Sequence, residues 1–357
     1  MHRICLAFSL LTISVSLRGT TPTVPSLRPL ATAVGLNFGV ATSAGIIRTD
    51  AAYRETLLAF ANTVVAENDM KFETLSPGPG LYDFRRADAL IEFAAKHELN
   101  IRGHVLVWHH QLPDWLKAAN YTAEQARELM RTHIFTVMGR YRGRILQWDV
   151  VNEAIADAPG AALRKSFWLE TIGPEYIALA FRYAHEADPN AQLFYNDYAA
   201  EDLNPKSNAV YELVRDLKQK GVPITGVGLQ CHFAVATPPN LEGIAANLQR
   251  LADLGLELAI TEFDARLRLP VSAADLEKQA VLQHDLLALV LRQPACRTFM
   301  FWGLTDARSW VPTFYRGYGD ALPFDATLAP KRALYGLEQA LRQAPPVSDT
   351  VSARLTR

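Results

Sequence analysis

The sequence has almost no net charge, because 36 lysine and arginine residues balance 37 aspartate and glutamate residues among its 357 positions. A chain without a basic or acidic excess lacks the electrostatic attraction that holds nucleic acid or an anionic membrane surface. Beyond its first residues it also lacks an apolar run of about 20 residues, the length of a membrane-spanning helix. We therefore predict that the mature chain has neither a nucleic-acid partner nor a membrane partner.

The N-terminus is the exception, since Met1-His2-Arg3 precedes an apolar run from Ile4 to Leu17. Ser14-Val15-Ser16 offers the small residues that suit a signal-peptidase site, and the run is too short to span a bilayer well. We interpret residues 1–17 as a secretory signal peptide and predict a secreted protein, extracellular or periplasmic. A poorly ordered extension is the alternative interpretation.

Short β-rich runs alternate eight times with longer amphipathic stretches, which is the pattern of parallel βα units. We predict an α/β fold, a single (β/α)8 TIM barrel, as the one catalytic domain over residues 18–343, closed by a helix from Lys331 to Arg342. Residues 344–357 are predicted to be a disordered tail. The predicted strands are Gly35–Thr42, Thr63–Asn68, Asn100–Trp108, Ile145–Glu153, Gln192–Asp197, Thr225–His232, Glu257–Asp264 and Thr298–Asp306.

Cysteine is scarce, with three residues in the whole chain. Cys5 falls in the predicted signal peptide, Cys231 on the predicted sixth strand and Cys296 just before the eighth. Because those two strands are not neighbours in a barrel, we predict no disulfide and interpret both residues as buried thiols.

Two short segments give the strongest functional signal, Trp148–Glu153 and Ile260–Asp264. Each is a strand-like run that carries a glutamate at its end, Glu153 in one and Glu262 in the other. Active sites of such barrels form at the C-terminal ends of the strands. Two carboxyls there are what cleavage of a glycosidic bond requires, one to protonate the leaving oxygen and one to stabilise or attack the sugar carbon. Other candidates at predicted strand ends are Glu67, Trp108, Asp197, His232 and Asp306.

These segments resemble the acid/base and nucleophile signatures of glycoside hydrolase family 10, the retaining endo-β-1,4-xylanases. Five further blocks follow the family's order, so the resemblance covers about residues 35 to 340. It implies an enzyme that hydrolyses internal bonds of xylan by double displacement through a covalent glycosyl-enzyme intermediate. We predict no cofactor, and a monomer that binds xylan or xylo-oligosaccharides. The five blocks are residues 67–73, 103–115, 195–198, 228–232 and 301–306.

By this resemblance Glu153 is the general acid/base, which protonates the leaving oxygen and then deprotonates the attacking water. Glu262 is the nucleophile and must stay ionised. The resemblance also implies that His232 hydrogen-bonds Glu262 and that Asp264 orients His232. Asn152 can hydrogen-bond the sugar 2-hydroxyl, a contact that strengthens in the transition state.

The remaining candidates are predicted to contact the substrate. Trp302 and Trp310 resemble the aromatics that cover the sugar at the cleavage point, where a ring packs on the apolar face of a pyranose. Gln230 is predicted to share a face of the sixth strand with the histidine two residues later. Tyr195 and Asn196 are predicted to line the leaving-group side. The residues that resemble those holding two sugars on the non-reducing side are Glu67, Asn68, Lys71, His104, Trp108 and Gln111.

Three other functions remain open from the sequence. A β-1,4-glucanase of the same fold and mechanism would differ in admitting the C5 hydroxymethyl group of glucose. A non-catalytic sugar-binding protein is disfavoured because both glutamates are present. A metal-dependent hydrolase could be built from His104, His109, His110 and His232, but the first three come from one short stretch, so we predict no metal.

Overall fold

The computed structural model describes residues 26–158, 160 and 162–344. The predicted signal peptide and, apart from Ala344, the predicted tail lie outside the described residues. The described part contains ten strands: β1 Asn37–Thr42, β2 Thr63–Ala66, β3 Asn100–Val107, β4 Gln147–Asn152, β5 Gln192–Asp197, β6 Gly226–Leu229, β7 His232–Ala234, β8 Glu257–Arg268, β9 Cys296–Phe301 and β10 Tyr318–Gly319.

Eight of these strands form a closed, parallel barrel. Strands β1 to β6 pair in sequence, β6 pairs with β8, and β9 closes the ring by pairing with both β8 and β1. The predicted (β/α)8 barrel is confirmed. The short β7 and β10 pair with the C-terminal part of β8, outside the ring.

Helices connect consecutive barrel strands, and the longest ones begin at side chains that cap their free N–H groups. Thr122, Asn204 and Ser272 each form a capping box, which fixes where the three longest helices begin. The α-helices are α1 Leu27–Ala33, α2 Ala44–Thr49, α3 Ala51–Phe60, α4 Phe72–Leu75, α5 Arg85–Lys96, α6 Asp114–Lys117, α7 Ala123–Tyr141, α8 Phe167–Ile172, α9 Tyr176–Ala187, α10 Pro205–Gln219, α11 Leu241–Asp253, α12 Ala273–Arg292, α13 Val311–Phe314 and α14 Arg332–Arg342.

The barrel strands are buried on both faces, as strands covered by helices must be. The interior of the barrel contains polar groups. Gln147 of β4 accepts a hydrogen bond from Thr298 of β9 at 3.3 Å, although these strands are not neighbours, so the bond crosses the interior. The polar interior extends toward the C-terminal ends of the strands, where the candidate residues lie.

The predicted barrel strands are correct in number and order, but three of them end three or more residues from their predicted ends. Strand β8 continues to Arg268, four residues past its predicted end, and β9 stops at Phe301, five residues before its predicted end. Strand β6 stops at Leu229, and Cys231 then adopts a positive φ of 64° that breaks the alternation of side chains. Gln230 and His232 therefore do not share a strand face.

The predicted closing helix and the two predicted buried thiols agree with the structure. The closing helix α14 begins one residue after Lys331. Cys231 and Cys296 are both buried free thiols. None of the helices within residues 26–158, 160 and 162–344 is both long enough and apolar enough to span a membrane.

Candidate active site

Glu153 follows the last residue of β4 at a turn of the backbone, where it has a positive φ of 57°. Both oxygens of its buried carboxyl accept hydrogen bonds. The indole Nε1 of Trp108 donates to Oε2 at 2.9 Å, while the amides of Gln230 and Asn152 donate to Oε1 at 3.0 and 3.1 Å. Neutral N–H donors at the ends of β3, β4 and β6 therefore fix the orientation of this carboxyl.

Glu262 lies within β8, and its buried carboxyl contacts a histidine. Asn196 Nδ2 donates to Glu262 Oε1 at 2.8 Å, and His232 Nε2 lies 3.4 Å from Oε2. Asp264 Oδ2 lies 2.6 Å from Nδ1 of the same imidazole. Burial alone would lower the pKa of His232, but the carboxylates of Asp264 and Glu262 outweigh it and raise the pKa to about 10. His232 is therefore protonated near neutral pH and presents a positive charge to Glu262.

The histidine near Glu153 has the opposite protonation state to His232. His109 Nδ1 lies 3.8 Å from Glu153 Oε2. Burial, helped by the neighbouring His110, lowers the pKa of His109 to about 3, so this imidazole is neutral at pH 7. The carboxyl of Glu153 is thus contacted by uncharged groups, and the carboxyl of Glu262 is contacted by a cation. Unequal surroundings of this kind allow two carboxyls to take different roles in one reaction.

One amide links the two carboxyls. Asn196 is fully buried on β5, and its Nδ2 donates to Asn152 Oδ1 at 2.9 Å as well as to Glu262. Asn152 donates in turn to Glu153, while Thr261 Oγ1 donates to Asn196 Oδ1 at 2.7 Å. Asn196, which was predicted to line the leaving-group side, is thus a fully buried link between the two carboxyls. Thr261 was not predicted, although a polar residue inside an apolar buried strand is a signal that could have found it.

Tyr195 was predicted to line the leaving-group side, and this prediction is wrong because its side chain is fully buried. Its hydroxyl donates to Asp197 Oδ2 at 2.5 Å and accepts from the backbone N–H groups of Ala154 and Ile155 at 3.0 and 3.2 Å. Adjacent residues of a strand point to opposite faces, so Tyr195 points away from Asn196. Its contacts fix the segment that follows the candidate acid/base.

Two aspartates that were predicted to converge on the opening bind lysines instead. Asp197 Oδ1 lies 3.0 Å from Lys206 Nζ at the start of α10, and Asp306 Oδ2 lies 3.0 Å from Lys331 Nζ before α14. Burial raises the pKa of Asp197 to about 7 and that of Asp306 to about 6. Asp197 and Asp306 therefore link the C-terminal end of the barrel to the helices that surround it.

Two tryptophans from the segment after β9 form one wall of the site. The ring of Trp302 is buried and lies edge-on to the His104 ring at 5.2 Å. The ring of Trp310 is partly buried and lies 4.8 Å from the His232 ring, and its Nε1 donates to Asp264 Oδ2 at 2.9 Å. The structure therefore brings both predicted aromatics next to the candidate residues.

Polar residues from β2, β3 and their loops are also brought together, as predicted. Lys71 Nζ donates to Asn68 Oδ1 at 3.0 Å and lies 4.9 Å from the centroid of the Trp108 ring. Gln111 Nε2 donates to the same Asn68 oxygen at 3.3 Å. Burial lowers the pKa of Lys71 and raises the pKa of Glu67, and the attraction between these two groups opposes both shifts.

Residues that the sequence analysis did not identify support this side of the site. His104 Nδ1 lies 3.0 Å from Asp149 Oδ2, and Asp149 pairs with Arg102 at 2.5 Å inside the barrel. Burial alone would raise the pKa of Asp149, but Arg102 and His104 hold it below its usual range. Trp168 Nε1 donates to the backbone oxygen of Trp108 at 2.9 Å. Charged residues inside apolar strands were the available signal for Arg102 and Asp149.

The site thus offers two carboxyls in unequal surroundings, several amide and ammonium groups, and two indole rings. This set is suited to proton transfer and to attack on a sugar carbon beside a polyhydroxyl ligand. Over the described ranges, no group of three or more His, Cys, Asp or Glu side chains is arranged to hold a metal ion.

Comparison with known proteins identifies close relatives along most of the chain. The model of the family described as glycosyl hydrolase family 10 matches residues 26–340. Endo-1,4-beta-xylanase B of Thermotoga neapolitana is 42% identical over 292 residues, which cover 82% of this chain and 84% of the relative. Beta-1,4-xylanase of Dictyoglomus thermophilum is 40% identical, with coverage of 79% and 83%. Exoglucanase XynX of Acetivibrio thermocellus is 38% identical, but the match covers only 27% of that protein.

The fold also matches solved structures. Native xylanase 10B from Thermotoga maritima superposes with a TM-score of 0.86 at 41% identity, covering 89% of this chain and 98% of the other. Xylanase 10B from Thermotoga petrophila, solved in complex with xylobiose, gives a TM-score of 0.87 at 41% identity, with coverage of 89% and 97%.

Proposed function

Because the chain belongs to glycosyl hydrolase family 10, we propose that it hydrolyses internal β-1,4-xylosidic bonds of xylan with retention of the anomeric configuration. One observation carries this proposal: Glu153 is held by neutral donors, whereas Glu262 contacts the protonated His232. A retaining glycosidase needs two carboxyls in unequal surroundings, because one exchanges a proton with the leaving oxygen and with water while the other attacks the sugar carbon. The relatives that are named xylanases support xylan as the substrate.

In the first step, a Glu262 oxygen attacks the anomeric carbon of the sugar at the cleavage point. The bond from that carbon to the leaving oxygen breaks, and Glu153 gives its proton to that oxygen. The imidazole of His232 and the amide of Asn196 orient the Glu262 carboxylate for this attack. Retention requires carboxyls about 5–5.5 Å apart, a spacing that the amides of Asn152 and Asn196 would maintain.

In the second step, water attacks the same carbon and displaces Glu262. Glu153, now a carboxylate, takes a proton from that water. The indole of Trp108 and the amide of Gln230 already donate to Glu153, so the carboxylate formed in the first step is stabilised without rearrangement.

The neighbouring residues are proposed to bind the polysaccharide chain. Lys71 and Asn68 present polar groups beside the Trp108 ring, which suits two sugars on the non-reducing side. Trp302 and Trp310 would cover the sugar at the cleavage point and exclude water from it. Further proposed binding residues in this group are Glu67, His104, Gln111, Asn152 and Gln230.

A β-1,4-glucanase is the second candidate, because one relative carries the name exoglucanase. Xylose and glucose differ by a C5 hydroxymethyl group, which the tryptophan wall would have to admit. Initial rates on xylan and on soluble β-glucan under the same conditions distinguish the two substrates.

The experiment that tests the proposal is proton NMR of the protein, without residues 1–17, digesting soluble xylan. Initial release of the β-anomer supports both the substrate and retention. Initial release of the α-anomer keeps the substrate but makes Glu262 a base that activates water. An absence of products from xylan and from β-glucan would leave a non-catalytic sugar-binding protein.

We also propose that the protein is secreted and acts as a monomer. The basic start and the apolar run within residues 1–17 support export. N-terminal sequencing of the protein recovered outside the cytoplasm tests the leader, and light scattering in solution tests the oligomeric state.

A further inference from the structure

Strand β8 carries a third charged residue in line with two residues of the site. The strand pairs with β9 as far as Phe263, and then continues to Arg268. Glu262 and Asp264 both contact the imidazole of His232, and Arg266 reaches the backbone oxygen of the same residue. Arg266 therefore shares His232 as a neighbour with the proposed nucleophile and with the carboxylate that supports it.

The guanidinium of Arg266 contacts a carbonyl and aromatic rings. Its Nη1 donates to the backbone oxygen of His232 at 3.2 Å. Its centre lies 3.9 Å from the centroid of the Tyr315 ring and 5.9 Å from that of Tyr318. The electron-rich face of an aromatic ring attracts a cation, and the flat guanidinium of arginine also stacks on such a face. The positively charged side chain of Arg266 thus contacts Tyr315 and Tyr318 in the segment that follows β9.

These contacts close a ring of four residues around the site. Tyr315 packs edge-on against Trp310 at 5.5 Å, and Trp310 packs edge-on against the imidazole of His232 at 4.8 Å. Arg266 joins Tyr315 back to the carbonyl of His232. Trp310 is in turn hydrogen-bonded to Asp264. The tryptophan wall and the histidine–aspartate pair are therefore connected through Arg266.

The segment after β9, residues 302–320, is held at its far end by other groups. Gln279 Nε2 donates to the backbone oxygens of Ala265 and Asp320 at 2.7 and 2.6 Å. Ala265 N donates to Ala321 O at 3.1 Å. These bonds fix where the segment ends. The part that carries Trp310 and Tyr315 is held against β8 by the bond from Trp310 to Asp264 and by the contacts of Arg266 with Tyr315 and His232.

We propose that Arg266 is a positioning residue, which holds the Trp310 indole against the His232–Asp264 pair by stacking on Tyr315. The proposal rests on the proposed function, in which Trp310 covers the sugar at the cleavage point. That sugar changes shape on the way to the transition state, so a correctly held Trp310 stabilises the transition state more than the bound substrate. Loss of Arg266 therefore lowers kcat more than it raises KM.

The test compares Arg266→Met, which keeps the length of the side chain but removes its charge and planarity, with Arg266→Lys. We expect Arg266→Met to lower kcat on xylan by about five- to thirty-fold, the range of a partly desolvated cation–aromatic contact, with KM changed less than about two-fold. Arg266→Lys should recover part of the loss. The matched control is Arg131→Lys, because Arg131 stacks on Phe135 at 4.3 Å on the outer helix α7 and should leave kcat unchanged.

A double-substitution cycle shows whether Arg266 acts through Tyr315. Arg266→Met and Tyr315→Leu should each lower kcat, and the double variant should lose little more than either one. Tyr315→Phe keeps the ring and should resemble the unaltered protein. Additive losses, a kcat for Arg266→Met within two-fold of the unaltered protein, or a change confined to KM would overturn the proposal.

A second readout does not depend on turnover. The indole N–H proton of Trp310 has its own NMR resonance, which Trp310→Phe identifies by its disappearance. We expect this resonance to shift or broaden in Arg266→Met and to stay unchanged in Arg131→Lys. If the unaltered protein released no sugar from xylan, the proposed function would fail, while the resonance would still decide whether Arg266 positions Trp310. An unmoved resonance contradicts the positioning role whatever the activity.

Discussion

Asn196→Asp is the sharpest test of how the two carboxyls are arranged, since it changes one side-chain NH2 group to oxygen and keeps the shape. Asn196 Nδ2 donates to Glu262 Oε1 at 2.8 Å and to Asn152 Oδ1 at 2.9 Å. Both partners are acceptors at these atoms, and an ionised aspartate has no hydrogen to offer them. Asn152 could turn its amide toward the new carboxylate, but it would then lose its donation to Glu153.

The expected magnitude follows from two effects. Loss of a hydrogen bond to a charged group costs about 1.5–3 kcal/mol. Two unit negative charges at the 2.8 Å separation repel by roughly 6 kcal/mol at an effective dielectric constant of about 20, so one carboxyl would take up a proton instead. Repulsion between the charges and protonation of one carboxyl would both prevent Glu262 from acting as a free carboxylate. We expect kcat/KM of the aspartate variant to fall by about 100- to 1,000-fold, each tenfold corresponding to about 1.4 kcal/mol.

The assay is hydrolysis of an aryl β-xylobioside, because its good leaving group makes the rate depend on the attack by Glu262. Asn196→Ala removes the same hydrogen bonds without adding a charge, so its loss should be about 10- to 150-fold, equivalent to 1.5–3 kcal/mol. Thr261→Val is the matched control: it removes only the hydroxyl that donates to Asn196 Oδ1 and should cost about tenfold or less. An aspartate variant within threefold of the unaltered protein would refute this account, as would equal losses for the aspartate and alanine variants.

Three further outcomes are expected. Glu153→Ala should reduce the rate on xylan at least about 100-fold more than the rate on an activated aryl xylobioside, since only the poor leaving group needs protonation; equal losses would remove Glu153 from the acid role. Trp108→Phe deletes the N–H that donates to Glu153 Oε2, and kcat/KM on xylan should fall about tenfold; an unchanged value would show that this bond does not contribute. The pKa of His232 is raised to about 10 in the folded state from an ordinary value of 6.5, so its stabilisation is complete below pH 6.5 and is lost as the pH rises through 10. Between these values the free energy of unfolding should decrease by up to about 1.4 kcal/mol per pH unit, measured by urea titration; an equal slope in His232→Gln would contradict this assignment.

The fold could be predicted from the sequence because eight apolar runs alternate with amphipathic ones, and eight parallel βα units are the number that closes a (β/α)8 barrel. The strand ends were less predictable. Glu153 and Cys231 both have positive φ values, and an apolar pattern carries no information about such a backbone turn in residues other than glycine. The extension of β8 to Arg268 depends on its pairing with β7 and β10, contacts that are remote in sequence.

Residues of the candidate site could be predicted where the chemistry requires a particular residue type, as it requires the carboxyls of Glu153 and Glu262. They were not predictable where two neighbouring residues could each face the site. Tyr195 and Asn196 lie on a strand that is buried on both faces, so hydrophobicity does not show which side chain points to the carboxyls. The structure assigns that position to Asn196 and leaves Tyr195 to support the segment after Glu153.

The hydrogen bonds explain why two carboxyls so close together can differ in their environments without being independent. Glu153 reaches Glu262 through Asn152 and Asn196, and Gln230 donates to Asn152 Oδ1 at 3.2 Å as well as to Glu153. The side-chain amides of Asn152 and Asn196 each use both donor and acceptor, so reorienting either one leaves a buried polar group of its neighbour without a partner. The cost of such a group exceeds the net value of one hydrogen bond. The arrangement therefore has one favourable set of orientations, and that set is the one that gives Glu153 its neutral donors while Glu262 keeps its contact with a cation.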